Sequence, residues 1–181
     1  IADFGGSVSG KSLVLKPNWL AWRPGRKIDI ACVHPSFTVE TAKILIDAGA
    51  KKVSIMENPA VQTAPAIARS MGIDEELNKL GVDIFNFTDY AKTTPVEGMK
   101  FHNIEVAREH LPFDAMVNIA KAKTHAMMVL TLAVKNLFGM VKGSERMGWH
   151  LAVGKDFPKF ADMLLDIYLA VRPQFNLLDA I

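Results

Sequence analysis

The chain contains a single cysteine, Cys32, among its 181 residues. One thiol excludes an internal disulfide, and it excludes a zinc or iron–sulfur site built only from cysteines of this chain. Glycine and proline are also scarce, with 12 and 9 residues, which excludes collagen-like and low-complexity chains. Half of the residues are hydrophobic and 22% are charged, a balance that excludes an intrinsically disordered chain.

Long apolar runs are absent as well. The longest extends from Met127 to Val141 with Lys135 and Asn136 inside it, and it falls short of the ~20 residues that a membrane span needs. We therefore predict a buried helix over residues 127–138 and no membrane partner. No signal peptide is visible, so we expect a cytoplasmic protein. The length predicts one α/β domain over residues 1–181, which we interpret as a fragment truncated at both ends.

The sequence also lacks metal-binding spacings and a strong net charge. Its five histidines show neither H-x-x-x-H nor H-E-x-x-H, so we predict no metal site. The net charge is only +2, but residues 114–150 hold five basic and two acidic residues, a local net charge of +3. This distribution indicates a small anionic ligand rather than nucleic acid.

Short apolar runs alternate with helical periodicity along the chain. This alternation predicts a three-layer α/β fold, in which a mainly parallel sheet carries helices on both faces. The predicted strands are 12–15, 53–56, 82–87, 115–119 and 175–178, with a short edge strand near 104–106. The predicted helices are 35–48, 65–71, 74–80 (with Asp74 as its N-cap), 127–138 and 157–171, the last capped by Asp156.

The segment GGSVSGKS, from Gly5 to Ser12, matches the phosphate-loop pattern G-x-x-x-x-G-K-[ST]. A phosphate loop needs a helix directly after it, whereas Leu13 to Leu15 read as a strand and Pro17 would break a first helix. We interpret the segment as a turn before a strand, and keep nucleotide-phosphate binding as an alternative.

Polar residues end three of the predicted strands: Lys16-Pro17-Asn18, Glu57-Asn58-Pro59 and Asn118 to Lys121. Parallel strands place these endings on one sheet edge, where open α/β sheets bind ligands. Lys121, Lys123, Thr124 and His125 then precede the predicted apolar helix, whose N-terminus would attract an anion. The alternative is that the lysines are solvated and Thr124 is only an N-cap.

Lys135 and Asn136 interrupt the apolar helix. Lysine is rarely buried without a partner, so Lys135 either extends to solvent or points into a polar cleft as a base. Gly139 and Gly143 predict a flexible loop that closes Arg146 and His150 over a ligand, the alternative being plain surface exposure. His125 is the acid–base candidate because an imidazole titrates near neutral pH.

Two groups of residues carry a family resemblance. The first group comprises Lys16-Pro17-Asn18, His34-Pro35 and the strand that ends in Glu57. The second comprises KAKTH from Lys121 to His125, KNLFG from Lys135 to Gly139, and Arg146 with His150. Together they resemble the "domain of unknown function 362" family, in order from Lys11 to Ile181.

The resemblance implies a protein of anaerobic metabolism, since the family is widespread in anaerobic bacteria and archaea. Its members often carry a ferredoxin-type segment with four cysteines. A [4Fe–4S] cluster in the full-length protein, and a ferredoxin-like domain or protein as partner, are therefore implied. Within this chain we predict no cofactor.

Three functions are open at this stage: an enzyme acting on a small carboxylate or phosphate, a non-catalytic scaffold or electron-transfer module, and the nucleotide-phosphate binder. The predicted catalytic residues are His125, Lys135 and Lys123. The predicted ligand-binding residues are Lys16, Asn18, His34, Glu57, Lys121, Thr124, Asn136, Arg146 and His150.

Overall fold

A computed structural model describes residues 7–26, 29–125, 128–153 and 156–181. Its main sheet has five parallel strands in the order β3-β2-β1-β6-β9, which confirms the predicted α/β class. The strands in chain order are β1 Ser12–Pro17, β2 Lys52–Glu57, β3 Asp83–Asn86, β4 Tyr90–Lys92, β5 Glu105–Ala107, β6 Ala115–Lys121, β7 Lys123–His125, β8 Val129–Thr131 and β9 Phe175–Asp179.

The described helices pack on both faces of this sheet. They are α1 Pro35–Asp47, α2 Ala64–Met71, α3 Asp74–Lys79, α4 Ala133–Asn136, α5 Gly143–Val153 and α6 Phe157–Val171, with 3-10 turns at Asp29–Ala31 and Leu137–Met140. Local signals explain their bounds: Asp156 caps α6 by accepting a hydrogen bond from the Lys159 backbone N–H. Asp74, expected to be an N-cap, is instead the first residue of α3.

Alternating side chains of the central strand divide the core in two. Leu13 and Leu15 of β1 belong to a core that includes residues of α1 and α2. Val14 points to the opposite face, where it joins a second core with residues of α6 and the turn Leu137–Met140. We call this cluster the second core. Because strand side chains alternate with a period of two, this arrangement produces the predicted three layers.

The strand order creates a crevice at the carboxyl edge of the sheet. From β1 the chain passes to β2 and β3 on one side, whereas β6 and β9 lie on the other side of β1. Open α/β sheets bind ligands where the strand order reverses in this way. The crevice lies beyond the ends of β1 and β6, next to Lys16 and Asn18.

The prediction of one helix over residues 127–138 is wrong in extent: of its described part, Ala133–Asn136 is α-helical and continues into the 3-10 turn Leu137–Met140, whereas the residues before Ala133 are not helical. β7 and β8 instead form an antiparallel hairpin, in which Lys123 pairs with Thr131 and His125 with Val129. The apolar run does not form a single buried helix, because Val129 and Leu130 are exposed, whereas the residues after α4 are buried in the second core. Met127 lies outside the described residues.

The flexible loop predicted around Gly143 is also wrong. The segment forms helix α5, on which Arg146 and His150 stand four residues apart and share one face. The nucleotide alternative loses its structural context as well, since Lys11 leads directly into strand β1 and not into a helix. Gly5 and Gly6 of that motif lie outside the described residues.

Candidate functional site

The strand ends converge on a cavity of about 130 Å³ at the carboxyl edge of the sheet. It combines residues of β1, β2, the β7–β8 hairpin, α4 and α5, so positions far apart in sequence meet. The lining residues are Lys16, Asn18, Trp19, Leu20, Glu57, Asn58, Lys123, His125, Thr131, Lys135, Asn136, Phe138, Gly139 and Arg146. We call this cavity the cleft.

A buried ion pair forms the base of the cleft. The Lys16 Nζ lies 2.6 Å from Glu57 Oε2, with 0% and 3% of the two side chains exposed. Lys16 follows Val14 by two residues, so it faces the second core, and its ammonium reaches the neighbouring strand end. Burial lowers the pKa of Lys16, while the Glu57 carboxylate opposes that shift. The other carboxylate oxygen of Glu57 accepts the Asn58 backbone N–H at 2.8 Å.

Asn136 holds α4 against the ends of β1 and β6. Its Nδ2 donates to Asn118 Oδ1 at 2.8 Å and to the backbone oxygens of Ile119 and Lys16 at 3.1 and 3.3 Å. Asn118, which pairs with Lys16 in the register of β6 and β1, donates to the Ala133 carbonyl at 2.9 Å. These bonds satisfy the buried polar groups of Asn118 and Asn136, and they fix the helix that carries Lys135.

Lys123 crosses the cleft from the β7–β8 hairpin. Its ammonium donates to Asn18 Oδ1 and to the Ala31 carbonyl oxygen. No carboxylate in the described part of the chain pairs with it. Burial lowers the pKa of Lys123 to about 8, because a desolvated ammonium without an acid partner is costly.

Lys135 points into the cleft and not to solvent. Its Nζ lies over the ring of Phe138, 4.5 Å from the centroid, and 5.6 Å from the centroid of Phe160. Among the described residues it has no ion-pair partner. Burial, and after it the charges of Lys123 and Arg146, lower the pKa of Lys135 to about 8.

Two histidines lie near Lys135, but only His125 lines the cleft. Burial and the charge of Lys135 lower the pKa of His125. The His150 ring packs on Phe138 and Phe160, 5.2 Å from each ring centroid, and burial lowers its pKa too. His150 therefore supports the aromatic wall behind Lys135, whereas Arg146, on the same helix, lines the cleft itself.

Besides His150, three predicted ligand-binding residues lie outside the cleft. His34 is exposed at the start of α1, where its Nδ1 hydrogen-bonds Ser36 Oγ at 2.7 Å. Lys121 pairs with Asp179 at 3.0 Å at the end of the sheet. Thr124 is exposed within β7 and caps no helix, because the helix expected after it is a hairpin. The sequence placed these residues near a helix start or a strand end, but their side chains point elsewhere.

The structure adds lining residues that the sequence did not single out. Trp19 Nε1 and Thr131 Oγ1 are buried polar atoms without a hydrogen-bond partner in the described part of the chain. Gly139 packs so closely that a Cβ there would lie 2.9 Å from both Glu57 Oε1 and Lys16 Nζ. The glycine of KNLFG was visible in the sequence, but its role required knowing which side chains face it.

No group of three or more His, Cys, Asp or Glu residues in the described ranges is arranged to hold a metal ion. The Cys32 thiol is buried, and its Sγ contacts the Leu20 N–H and the Ala21 carbonyl, each at 3.4 Å. Nor is any described helix long and apolar enough to cross a bilayer.

One known protein family matches most of the chain. Residues 13–181 match the family described as Domain of unknown function (DUF362). The chain belongs to this family. The match confirms the resemblance inferred from the sequence, and it covers every element that contributes to the cleft.

A relative of this DUF362 chain is the thylakoid-associated protein sll1697 of Synechocystis sp. (strain ATCC 27184 / PCC 6803 / Kazusa). The two are 32% identical over 174 residues, which is 95% of this chain and 52% of that protein. The chain thus spans about half the length of the curated relative it matches. That protein's name associates it with thylakoids, and the cytoplasmic location expected for this chain stays a prediction.

Proposed function

We propose that this DUF362 chain binds a small carboxylate or phosphate anion in the cleft and transfers a proton to or from it. The proposal rests on the excess of positive charge among the side chains that line the cleft. Lys16, Lys123, Lys135 and Arg146 line the cleft, and Glu57, the one carboxylate among the described lining residues, is bonded to Lys16. Three positive charges thus face the cleft without a carboxylate partner in the described ranges. A bound anion would supply the missing negative charge.

The size of the cleft supports a small ligand. Its volume is about 130 Å³. Pockets for drug-sized ligands are larger, ~300–1,000 Å³. The cleft fits an inorganic anion, a short carboxylic acid, or the anionic end of a longer molecule that continues into solvent.

Proton transfer is proposed because the pKa values of three groups in the cleft are lowered from their ordinary values. The pKa of Lys123 and of Lys135 is about 8, and that of His125 lies below the ordinary histidine value. Groups with pKa values near the working pH are suited to general acid–base catalysis. We assign His125 as the first proton carrier, because it lines the cleft beside Lys135.

Titration of inorganic phosphate by isothermal calorimetry tests the binding step. Lys135→Met should weaken binding by about tenfold or more, since a charge-assisted hydrogen bond contributes ~1.5–3 kcal/mol. Lys159→Met removes an exposed lysine on α6 and should leave the affinity unchanged. Equal weakening by both variants, or no phosphate binding by the unaltered chain, would contradict the proposal.

An electron-transfer role is a separate proposal about the whole protein. It is supported by the length of the Synechocystis relative, of which this chain covers only 52%. The remaining part of such a longer protein could hold an iron–sulfur segment. Iron analysis of the full-length protein, prepared without air, should find about four iron atoms per chain if one cluster is present. A preparation without iron would remove this proposal and leave anion binding untouched.

A further inference from the structure

Lys135 differs from the other lysines of the cleft in what its amine contacts. Lys16 donates to Glu57, and Lys123 donates to Asn18 and the Ala31 carbonyl. The Lys135 Nζ instead lies over two phenylalanine rings, and no oxygen atom of the described residues accepts a hydrogen bond from it. A lysine amine in an apolar setting beside other cations is the environment that favours a nucleophilic amine.

The surrounding cations can hold a carboxylate without using Lys135. Lys123 and Arg146 line the same cleft, and neither has a carboxylate partner in the described part of the chain. Both charges also act on the pKa of Lys135, so a carboxylate held by them would lie near its amine. The cleft is small, so that carboxylate belongs to a molecule of only a few heavy atoms, or to the anionic end of a longer one.

We propose that Lys135 forms an imine with a small 2-oxo acid or aldehyde acid whose carboxylate is held by Lys123 and Arg146. This inference rests on the proposed anion site and names the ligand class. A carbonyl carbon next to a carboxylate offers one group for the cations and one for the amine. Phosphate offers only the first, so the two can be tested apart.

The chemical step balances without an added oxidant or reductant. The lone pair of the unprotonated Lys135 amine forms a bond to the carbonyl carbon, and the carbonyl π electrons move to oxygen. That oxygen leaves as water with the two hydrogens of the amine, and a carbon–nitrogen double bond remains. The imine nitrogen then takes up one proton, for which His125 is the nearest proposed carrier.

The amount of reactive amine follows from the environment of Lys135. With a pKa of about 8, about a tenth of its amine is unprotonated near pH 7. An ordinary lysine, with a pKa of 10.5, has about 300-fold less free amine at the same pH. Lys135 should therefore be labelled at least about tenfold faster than exposed lysines, even though a less basic amine is a weaker nucleophile.

Reductive trapping with glyoxylate and sodium cyanoborohydride tests the proposal. Peptide mapping by mass spectrometry should find the carboxymethyl adduct chiefly on Lys135, and phosphate should slow its formation by competing for the cations. Lys135→Arg should abolish this adduct, whereas Lys159→Arg should leave it intact. The rate should rise with pH up to about pH 8, as the Lys135 amine loses its proton, and fall above it, as Lys123 loses the charge that holds the carboxylate.

Acetaldehyde supplies the matched probe without a carboxylate. It should label Lys135 at least about tenfold more slowly than glyoxylate if the cations hold the acid. Adducts spread evenly over exposed lysines, or found chiefly on Lys123, would overturn the inference. If the unaltered chain binds phosphate but Lys135 is not labelled, the imine inference fails and the anion site stands. If phosphate does not bind, the proposed function itself fails.

Discussion

Replacing Glu57 with Gln should strongly destabilise the fold, because it leaves the Lys16 ammonium buried without a counter-charge. The two groups are 2.6 Å apart and almost fully buried. Glutamine has nearly the same shape and still offers an oxygen to the lysine, so the charge is the main difference. Removing one partner of a buried pair typically costs ~3–5 kcal/mol of unfolding free energy.

The free energy of deprotonating Lys16 sets an upper limit on this loss of stability. In the variant, the chain can bury Lys16 as a neutral amine instead of an ammonium. Deprotonating an ordinary lysine with a pKa of 10.5 near pH 7 costs about 5 kcal/mol, at 1.36 kcal/mol for each pH unit. The loss should therefore lie between about 3 and 5 kcal/mol near neutral pH.

The cost of Glu57→Gln should decrease as the pH rises. Without Glu57, the folded chain holds Lys16 neutral while the unfolded chain holds it protonated, so unfolding takes up a proton. Stability of the variant then rises by about 1.4 kcal/mol per pH unit up to the unfolded pKa. The unaltered protein shows a smaller slope for this residue as long as its Lys16 remains protonated in the pair.

Urea unfolding of four chains measures these quantities: the unaltered protein, Lys16→Met, Glu57→Gln and the double variant. The double variant should recover at least about 2 kcal/mol relative to the sum of the single losses, because no uncompensated charge is left. Asp83→Asn, which breaks the half-exposed pair with Lys52, is the control and should cost at most about 1 kcal/mol. Additive losses, or a Glu57→Gln loss no larger than that of the control, would refute the reasoning.

Three further predictions use other parts of the structure. Gly139→Ala places a methyl group 2.9 Å from the Lys16–Glu57 atoms and should weaken phosphate binding by about tenfold in calorimetry. Gly148→Ala, which meets open space on α5, should leave binding unchanged and add up to ~1 kcal/mol in urea unfolding. Burial alone would raise the pKa of Asp179, but hydrogen bonds from His34 N–H and Lys121 outweigh it and lower the pKa. Asp179→Asn should therefore lower stability at neutral pH, and its unfolding curve should approach that of the unaltered protein as the pH falls below the ordinary value of 3.8. Phosphate affinity should fall as the pH rises through about 8, where Lys123 and Lys135 lose their charges; an affinity that is constant up to about pH 9 would contradict this assignment.

Much of the fold could be predicted because its signals are local. The apolar spacing from Phe157 to Val171 and the cap at Asp156 define α6 as observed. Three strand endings were expected to converge because parallel strands end on one edge. Two of them do line the cleft, through Lys16, Asn18 and Glu57, whereas no residue of the third, Asn118 to Lys121, lines it. The roles of Lys16, Asn18 and Glu57 in binding are a prediction that the phosphate titration addresses.

The hairpin and α5 could not be predicted from the same signals. An uninterrupted apolar run has the composition of a buried helix, whether or not all of it reaches the core. In the structure the exposed Val129 and Leu130 belong to a strand of the hairpin, whereas Val134, Leu137 and Phe138 pack on the second core. Likewise Gly139 and Gly143 together predict a loop, although Gly143 begins a helix that brings Arg146 to the cleft.

The sequence by itself determined the three-layer α/β class, the strand-end chemistry and the family, because periodicity, caps and short motifs are encoded by neighbouring residues. Only the tertiary structure decided which cations share one cavity. It placed Lys123 and Lys135 in the cleft without acid partners in the described ranges, and it directed Lys121 and His34 to Asp179 and Ser36 instead. Contacts of the cleft such as Lys123 with Asn18 and Asn136 with Lys16 join residues more than 100 positions apart, and such contacts set the charge and the pKa values of the site.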